Sequence, residues 1–196
     1  MLSIQLLGPV QVFLAGRPLA LKRRKSRALL YYLATYPHPV SRSQVLGLLW
    51  PDHAPAAARH NLRTTLYSLR QELGDHFQSE DEWLALTGEV EVDVRRLAEA
   101  VTAKPDSARP DEVADDRRLA EALAAYRGDF LAGFELPDAP EYEDWMAVER
   151  EHYRRLAIKG FEMFSRRREA VGDYSEALAA LAQALAIDPF QEDLQR

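Results

Sequence analysis

Apolar positions alternate over the first twenty residues. Leu2, Ile4 and Leu6 are separated by Ser3 and Gln5, and Val10, Val12 and Leu14 follow with the same period. A period of two belongs to strands with one buried face. Gly8-Pro9 punctuates the first pair, and Ala15-Gly16-Arg17-Pro18 the second. A third short strand is predicted over residues 19–21, completing a small antiparallel meander.

The period then changes. Across 22–36, Leu29, Leu30 and Leu33 recur at helical spacing, and Pro37 and Pro39 end the helix. Ser41-Arg42-Ser43-Gln44 is a capping box, in which hydroxyl and amide side chains satisfy each other's backbone donors. The helix it opens carries Val45, Leu46, Leu49 and Trp50 on one side and stops at Pro51. A loop, Pro51-Asp52-His53-Ala54-Pro55, precedes a third helix predicted over 56–73, with Gly74 at its end. Trp83-Leu84-Ala85-Leu86 and Val90, Val92 and Val94 read as two strands joined tightly at Thr87-Gly88-Glu89. Asp93 is placed to cap a short helix through Leu97 to Val101.

Residues 102–116 are rich in Pro, Asp and Ala and read as a linker. Everything beyond is helical. One helix covers 117–126, with Gly128 as its stop. After a loop holding Gly133, Pro137 and Pro140, residues 141–171 form one long helix or two. Gly172-Asp173-Tyr174 breaks it, and a last helix over 175–187 ends at Asp188-Pro189. The fold class is therefore mainly α with small β elements. Strands, three helices and a hairpin are the order of a winged helix-turn-helix, placed at 1–101, and an all-α domain follows at 117–196.

In such a fold the third helix is the reader. At about 100° per residue, Leu62, Leu66, Leu69 and Leu73 fall within about 60° of each other and form a core stripe. The opposite side presents His60, Thr64, Tyr67 and Gln71, with Asn61, Arg63 and Ser68 on its flanks and Arg59 and Arg70 at the rim. No acid occurs between Ala56 and Gln71. Solvated helix faces usually mix both charge signs, so this face suits base edges and phosphates. His60, Thr64, Tyr67 and Ser68 are the candidate base readers. Arg59, Arg63 and Arg70 are candidate phosphate ligands.

Charge sharpens this. Residues 1–73 hold ten Lys or Arg against two acids, while 74–196 hold fifteen against twenty-nine. A basic segment joined to an acidic one suggests a polyanion-binding module attached to something else. The run Lys22-Arg23-Arg24-Lys25-Ser26-Arg27 adds Lys22, Arg24 and Lys25 as candidate phosphate ligands. A solvated loop explains the run equally well. Thr87 and Gly88 would form the tip of the wing, where Glu89 and Glu91 repel phosphate, so weak wing contacts are expected.

Other chemistry is excluded or unsupported. The chain has no cysteine, so it holds neither a disulfide nor a thiolate site. It has no Gly-rich phosphate loop, G-x-S-x-G or H-E-x-x-H, so an enzyme is not expected. His38, His53, His60, His76 and His152 show no ligand spacing, and neither metal nor cofactor is suggested. No membrane-spanning run occurs and the N-terminus lacks signal-peptide features, so a cytoplasmic protein is expected.

The residues also carry a family resemblance. Leu6-Leu7-Gly8-Pro9-Val10, Arg27-Ala28-Leu29-Leu30-Tyr31-Tyr32-Leu33-Ala34, Leu48-Leu49-Trp50-Pro51-Asp52, Asn61-Leu62-Arg63, Leu69-Arg70-Gln71-Glu72-Leu73 and Val92-Asp93-Val94 stand where matching stretches occur elsewhere. On these, residues 1–101 resemble the OmpR/PhoB-type winged helix of the Streptomyces antibiotic regulatory protein family. Tyr126-Arg127-Gly128-Asp129-Phe130-Leu131, Glu149-Arg150-Glu151, Gly172-Asp173-Tyr174-Ser175-Glu176-Ala177, Ala184-Leu185 and Asp188-Pro189 make residues 117–196 similar to a bacterial transcriptional activator domain, a tetratricopeptide-like helical module. That module continues for further helices in the family, so the chain is expected to be part of a longer regulator. The resemblance implies a transcriptional activator that binds direct repeats in double-stranded DNA and recruits RNA polymerase. It implies that the loop of Pro51, Asp52, His53 and Pro55 touches polymerase, although a plain connector fits equally. A homodimer is compatible with this but not required. The alternative is a helical protein–protein adaptor whose winged helix does not bind DNA.

Overall fold

The computed structural model describes residues 1–103 and 112–188. Strands β1 (Leu2–Gln5) and β2 (Gln11–Leu14) pair antiparallel, with Leu2 opposite Leu14 and Ile4 opposite Val12. Leu2 and Ile4 point into the core and are almost wholly buried, as the period of two requires. The third strand, β3, is Arg17–Pro18 rather than residues 19–21. The tight turn at Ala15-Gly16 returns the chain at once, and a last bond, Leu19 N–H to Val12 O at 2.8 Å, follows the strand. The fourth strand of this sheet comes from far away. β7 (Val90–Val92) lies parallel to β1, giving the order β3-β2-β1-β7.

Three helices follow β3. Helix α1 spans Arg24–Thr35 and buries Leu29, Leu30 and Leu33. Helix α2 spans Arg42–Leu49, and its capping box is formed in full: Ser41 Oγ accepts from the Gln44 N–H at 3.2 Å, and Gln44 Oε1 accepts from the Ser41 N–H at 3.0 Å. Helix α3 spans Pro55–Leu73. Pro55, expected in the preceding loop, is its first residue, where a missing N–H costs nothing. Gly74, at a φ of +54°, ends α3 and opens a 3₁₀ turn, Gly74–His76. A second sheet has the order β4 (Val40–Ser41), β6 (Trp83–Leu86), β5 (Phe77–Ser79).

Helix α4, Asp93–Thr102, enters the helical half. Asp93 is its first residue rather than its N-cap, and it does more than cap. Its buried carboxylate accepts from the N–H groups of Leu6 (2.8 Å), Leu7 (2.9 Å) and Val94 (2.8 Å), tying the end of β1 to the start of α4. Helix α5 begins at Glu112, not at residue 117, and runs to Ala124. Thr102 and 112–116 are therefore helical, and 104–111 of the expected linker lie outside the described residues.

Helix α6, Pro140–Ala170, is one continuous helix of 31 residues. Pro140 stands at its first turn, Glu141 and Glu143 complement the positive end of its dipole, and Arg167 and Arg168 the negative end. Helix α7, Tyr174–Ile187, is capped by Asp173, which accepts from the Glu176 N–H. Gly160 lets the helices cross closely: a Cβ there would lie 2.8 Å from Leu123 and 3.0 Å from Val101.

The two halves share one hydrophobic core. The chain after α5 runs along the residues that extend β1. Leu131 N–H donates to Leu6 O at 2.8 Å, Gly8 N–H to Asp129 O at 3.0 Å, and Ala132 N–H to Gly8 O at 3.2 Å. Gly8, at a φ of +103°, is needed there, because a Cβ would meet the Arg127 backbone at 3.1 Å. Among the described residues no helix is long and apolar enough to cross a membrane.

Candidate nucleic-acid interface

The site is built on α3. Ala58, Leu62, Leu66, Leu69 and Leu73 are buried and anchor it, and the core stripe matches the expected one. This fixes which residues face out. Arg59, His60, Arg63, Tyr67, Arg70 and Gln71 are exposed, and Asn61, Thr64 and Ser68 are half-buried at the flanks. Tyr67 is 68% exposed, an uncommon setting for a large aromatic on a well-packed helix. Thr64 Oγ1 donates to His60 O at 3.2 Å, which leaves its lone pairs free to accept. Among the described residues Arg59 and Arg63 make no ion pair.

Arg70 differs from these two. Its Nη2 donates to Ser79 O at 3.0 Å and to Ser79 Oγ at 2.9 Å. Ser79 ends β5, so Arg70 clamps the hairpin of the wing to α3. The structure thus gives this exposed candidate phosphate ligand a bracing task as well.

The wing itself is displaced from its expected position. β6 pairs back with β5, with Phe77 opposite Leu86 and Ser79 opposite Leu84, and β7 leaves for the other sheet. The hairpin tip is Glu80-Asp81-Glu82, all exposed, closed by Glu80 N–H donating to Trp83 O at 2.9 Å. Thr87 and Gly88 form the crossover between the sheets and are not a tip. Thr87 Oγ1 donates to Asp75 O at 2.7 Å and its N–H to His76 O at 3.0 Å, which fixes the crossover against the 3₁₀ turn. β5 was missed because it is only three residues long with one buried position, too short to show a period.

The basic run divides. Lys22, Arg23 and Arg24 are exposed, without an acidic partner among the described residues. Lys25, a candidate phosphate ligand by sequence, turns inward. Its Nζ donates to Leu49 O at 2.7 Å, pairs with Asp138 Oδ2 at 3.2 Å, and lies 5.8 Å from the centre of the Trp50 ring. Arg27 is likewise inward, its guanidinium 5.6 Å from the Phe134 ring centre. Burial of these two depends on tertiary packing that six consecutive residues cannot reveal.

The loop between α2 and α3 is short and outward. Asp52, His53 and Ala54 are exposed, and Pro51 is half-buried. His53 N–H donates to Trp50 O at 3.3 Å, so the loop starts from the residue that closes α2. No group of three or more His, Asp or Glu is placed to hold a metal ion among the described residues.

Comparison with known proteins bears on the whole architecture. The family described as the bacterial transcriptional activator domain matches residues 92–196, more than half of the chain. The match starts at the end of β7 and includes α4, which sequence patterning had grouped with the first domain. Mycobacterium tuberculosis EmbR, solved in complex with a low affinity phosphopeptide, superposes with a TM-score of 0.74 at 24% identity. The superposition covers 98% of this chain and 52% of EmbR, so the chain spans about half the length of that relative. No curated protein matches. A winged helix-turn-helix packed on an all-α module is thus the fold, and the chain belongs to the bacterial transcriptional activator domain family.

Proposed function

We propose that the chain is a sequence-specific DNA-binding activator that lays α3 in the major groove and recruits RNA polymerase. The observation that carries this reading is the outward face of α3. Arg59, His60, Arg63 and Tyr67 are exposed together, with no acid among them and no ion pair to either arginine among the described residues. A groove about 12 Å wide admits a helix, and this face offers it cations for phosphates and hydrogen-bonding groups for base edges.

Roles follow from position. His60, Thr64, Tyr67 and Ser68 read bases; Arg59 and Arg63 hold phosphates on either side; Lys22 and Arg24 hold backbone further along. The wing braces α3 through Arg70 and Ser79, and its acidic tip stays off the phosphates. Pro51, Asp52 and His53 form the surface offered to polymerase. Direct repeats would seat two copies side by side without requiring a dimer in solution.

Substitutions test the assignment. Arg63→Ala is expected to weaken binding to every duplex alike. Tyr67→Ala and Thr64→Ala are expected to change the preference among sequences, by about 1–3 kcal/mol for each base edge lost. If all three variants fold and bind duplexes as the parent does, α3 is not the reader, and the adaptor reading replaces this one.

A further inference from the structure

Lys25 occupies an unusual position for a residue in a basic run. Three exposed cations precede it, yet its own side chain is only 17% exposed. Its ammonium links its own helix to two other parts of the fold. It caps the last carbonyl of α2 at Leu49, it pairs with Asp138 in the loop before α6, and it rises from the first turn of α1. Its Nζ also reaches Asp138 O, at 3.4 Å. Leu49 is followed by Trp50, from whose ring Nζ lies 5.8 Å, and then by the exposed loop 51–54.

A helix C-terminus has free carbonyls and a negative dipole end, and a cation there supplies both a donor and a charge. Here the cation is shared with the helical half. We propose that Lys25 is a positioning residue, which sets the loop 51–54 according to how the helical half sits on α1. This rests on the reading of that loop as the polymerase-facing surface.

The alternative uses of Lys25 make different demands. A phosphate ligand must reach solvent, and this one is turned away from it. A merely structural lysine would affect the folding of the whole domain and would leave no signature confined to the loop. A positioning lysine changes the loop while the α3 face, anchored separately by Leu62, Leu66 and Leu69, stays in place.

The experiment uses the full chain with Lys25→Met, Lys25→Arg and Asp138→Asn. The methionine keeps the apolar stem and removes the charge; the arginine restores a cation; the asparagine keeps the shape of Asp138 and removes the ion pair. Three quantities are read for each: duplex affinity, polymerase-dependent transcription from a bound promoter, and hydrogen exchange at residues 50–54. For Lys25→Met the expected result is faster exchange at 50–54 and at least about a five-fold loss of activated transcription, the lower end of coupling between sites. Duplex affinity should change by less than about two-fold, the size expected for independent sites. Asp138→Asn should shift exchange and transcription the same way by less, and Lys25→Arg should recover part of both. The inference is overturned if exchange at 50–54 is unchanged in both Lys25→Met and Asp138→Asn, or if affinity and transcription fall together. His53→Ala separates the two readings. If it leaves activation intact while exchange still responds to Lys25→Met, the polymerase reading of the loop has failed and the positioning contact stands.

Discussion

The Tyr142 hydroxyl donates to the carbonyl of Ala28 at 3.0 Å, inside the core. Tyr142 lies in the first turns of α6 and Ala28 in α1, so this bond joins the all-α module to the winged helix. It has company. Trp145 Nε1 donates to Tyr36 Oη at 2.8 Å, and Tyr36 Oη donates to Glu149 at 3.0 Å. Arg95 of α4 donates to Leu33 O at 2.9 Å and to Tyr36 O. A shared core with buried hydrogen bonds across it unfolds as one unit. A single calorimetric transition is expected for the whole chain. Tyr142→Phe should lower stability by about 0.5–1.5 kcal/mol, and Tyr142→Ala by about 3–5 kcal/mol, without splitting the transition. Two separated transitions in the parent would contradict the shared core.

The same tyrosines make the fold sensitive to alkali. Burial pushes the phenols of Tyr31, Tyr36, Tyr142 and Tyr153 above the ordinary value of 10.0. Each stays neutral in the folded chain at a pH where the unfolded chain ionises. Their contribution is fully present below pH 10.0 and is lost as pH rises through the folded value. Denaturant midpoints measured from about pH 8 to 11 should fall steeply only above about pH 10. Tyr142→Phe should flatten that fall, because it removes one of the groups responsible.

Asp93 supports a third expectation. Burial raises its pKa, while the N–H groups of Leu6, Leu7 and Val94 and the charge of Arg127 oppose the rise. The balance still favours its protonated form relative to the unfolded chain, so this group alone makes the fold less stable as pH rises through its unfolded value, 3.8. Removing the acceptor is another matter. Asp93→Ala strands the buried donors of Leu6 and Leu7 and should cost about 1.5–3 kcal/mol, read from the chemical denaturation midpoint at neutral pH. A loss within a few tenths of a kcal/mol would mean that water replaces the carboxylate.

The revised wing makes a functional difference that can be measured. Glu80, Asp81 and Glu82 sit at the hairpin tip, and like charges repel a duplex. The triple variant Glu80→Gln, Asp81→Asn and Glu82→Gln should bind duplexes more tightly at low salt, with the gain shrinking as salt rises. Thr87→Ala, in the crossover, should leave affinity unchanged. The reverse pattern would make the crossover at Thr87 and Gly88, and not the tip, the part that meets the duplex.

These cases show what a linear reading can see. Helices α1, α2 and α3 were legible because their signals are local: leucine spacing, the Ser41 capping box, and glycine or proline at the ends. The core stripe of α3 followed from counting, and so did its outward face. β7 was not legible. Val90 to Val92 look like the partner of Trp83 to Leu86, which stand close in sequence, yet they pair with Leu2 to Ile4. A parallel pairing across so long a separation leaves no local trace. The second tasks of Asp93, Lys25 and Arg70 were hidden for the same reason. Each residue type was noticed, but its partner (Leu6, Leu49 or Ser79) belongs to another element.

The central claim is that α3 reads DNA. The most direct test is fluorescence anisotropy of the full chain with labelled duplexes, random and promoter-derived, across a salt series. The expected result is binding that weakens linearly in log affinity against log salt, with one promoter fragment preferred, and a slope reduced by about one for Arg63→Ala. A folded chain that binds no duplex at any salt would contradict the claim.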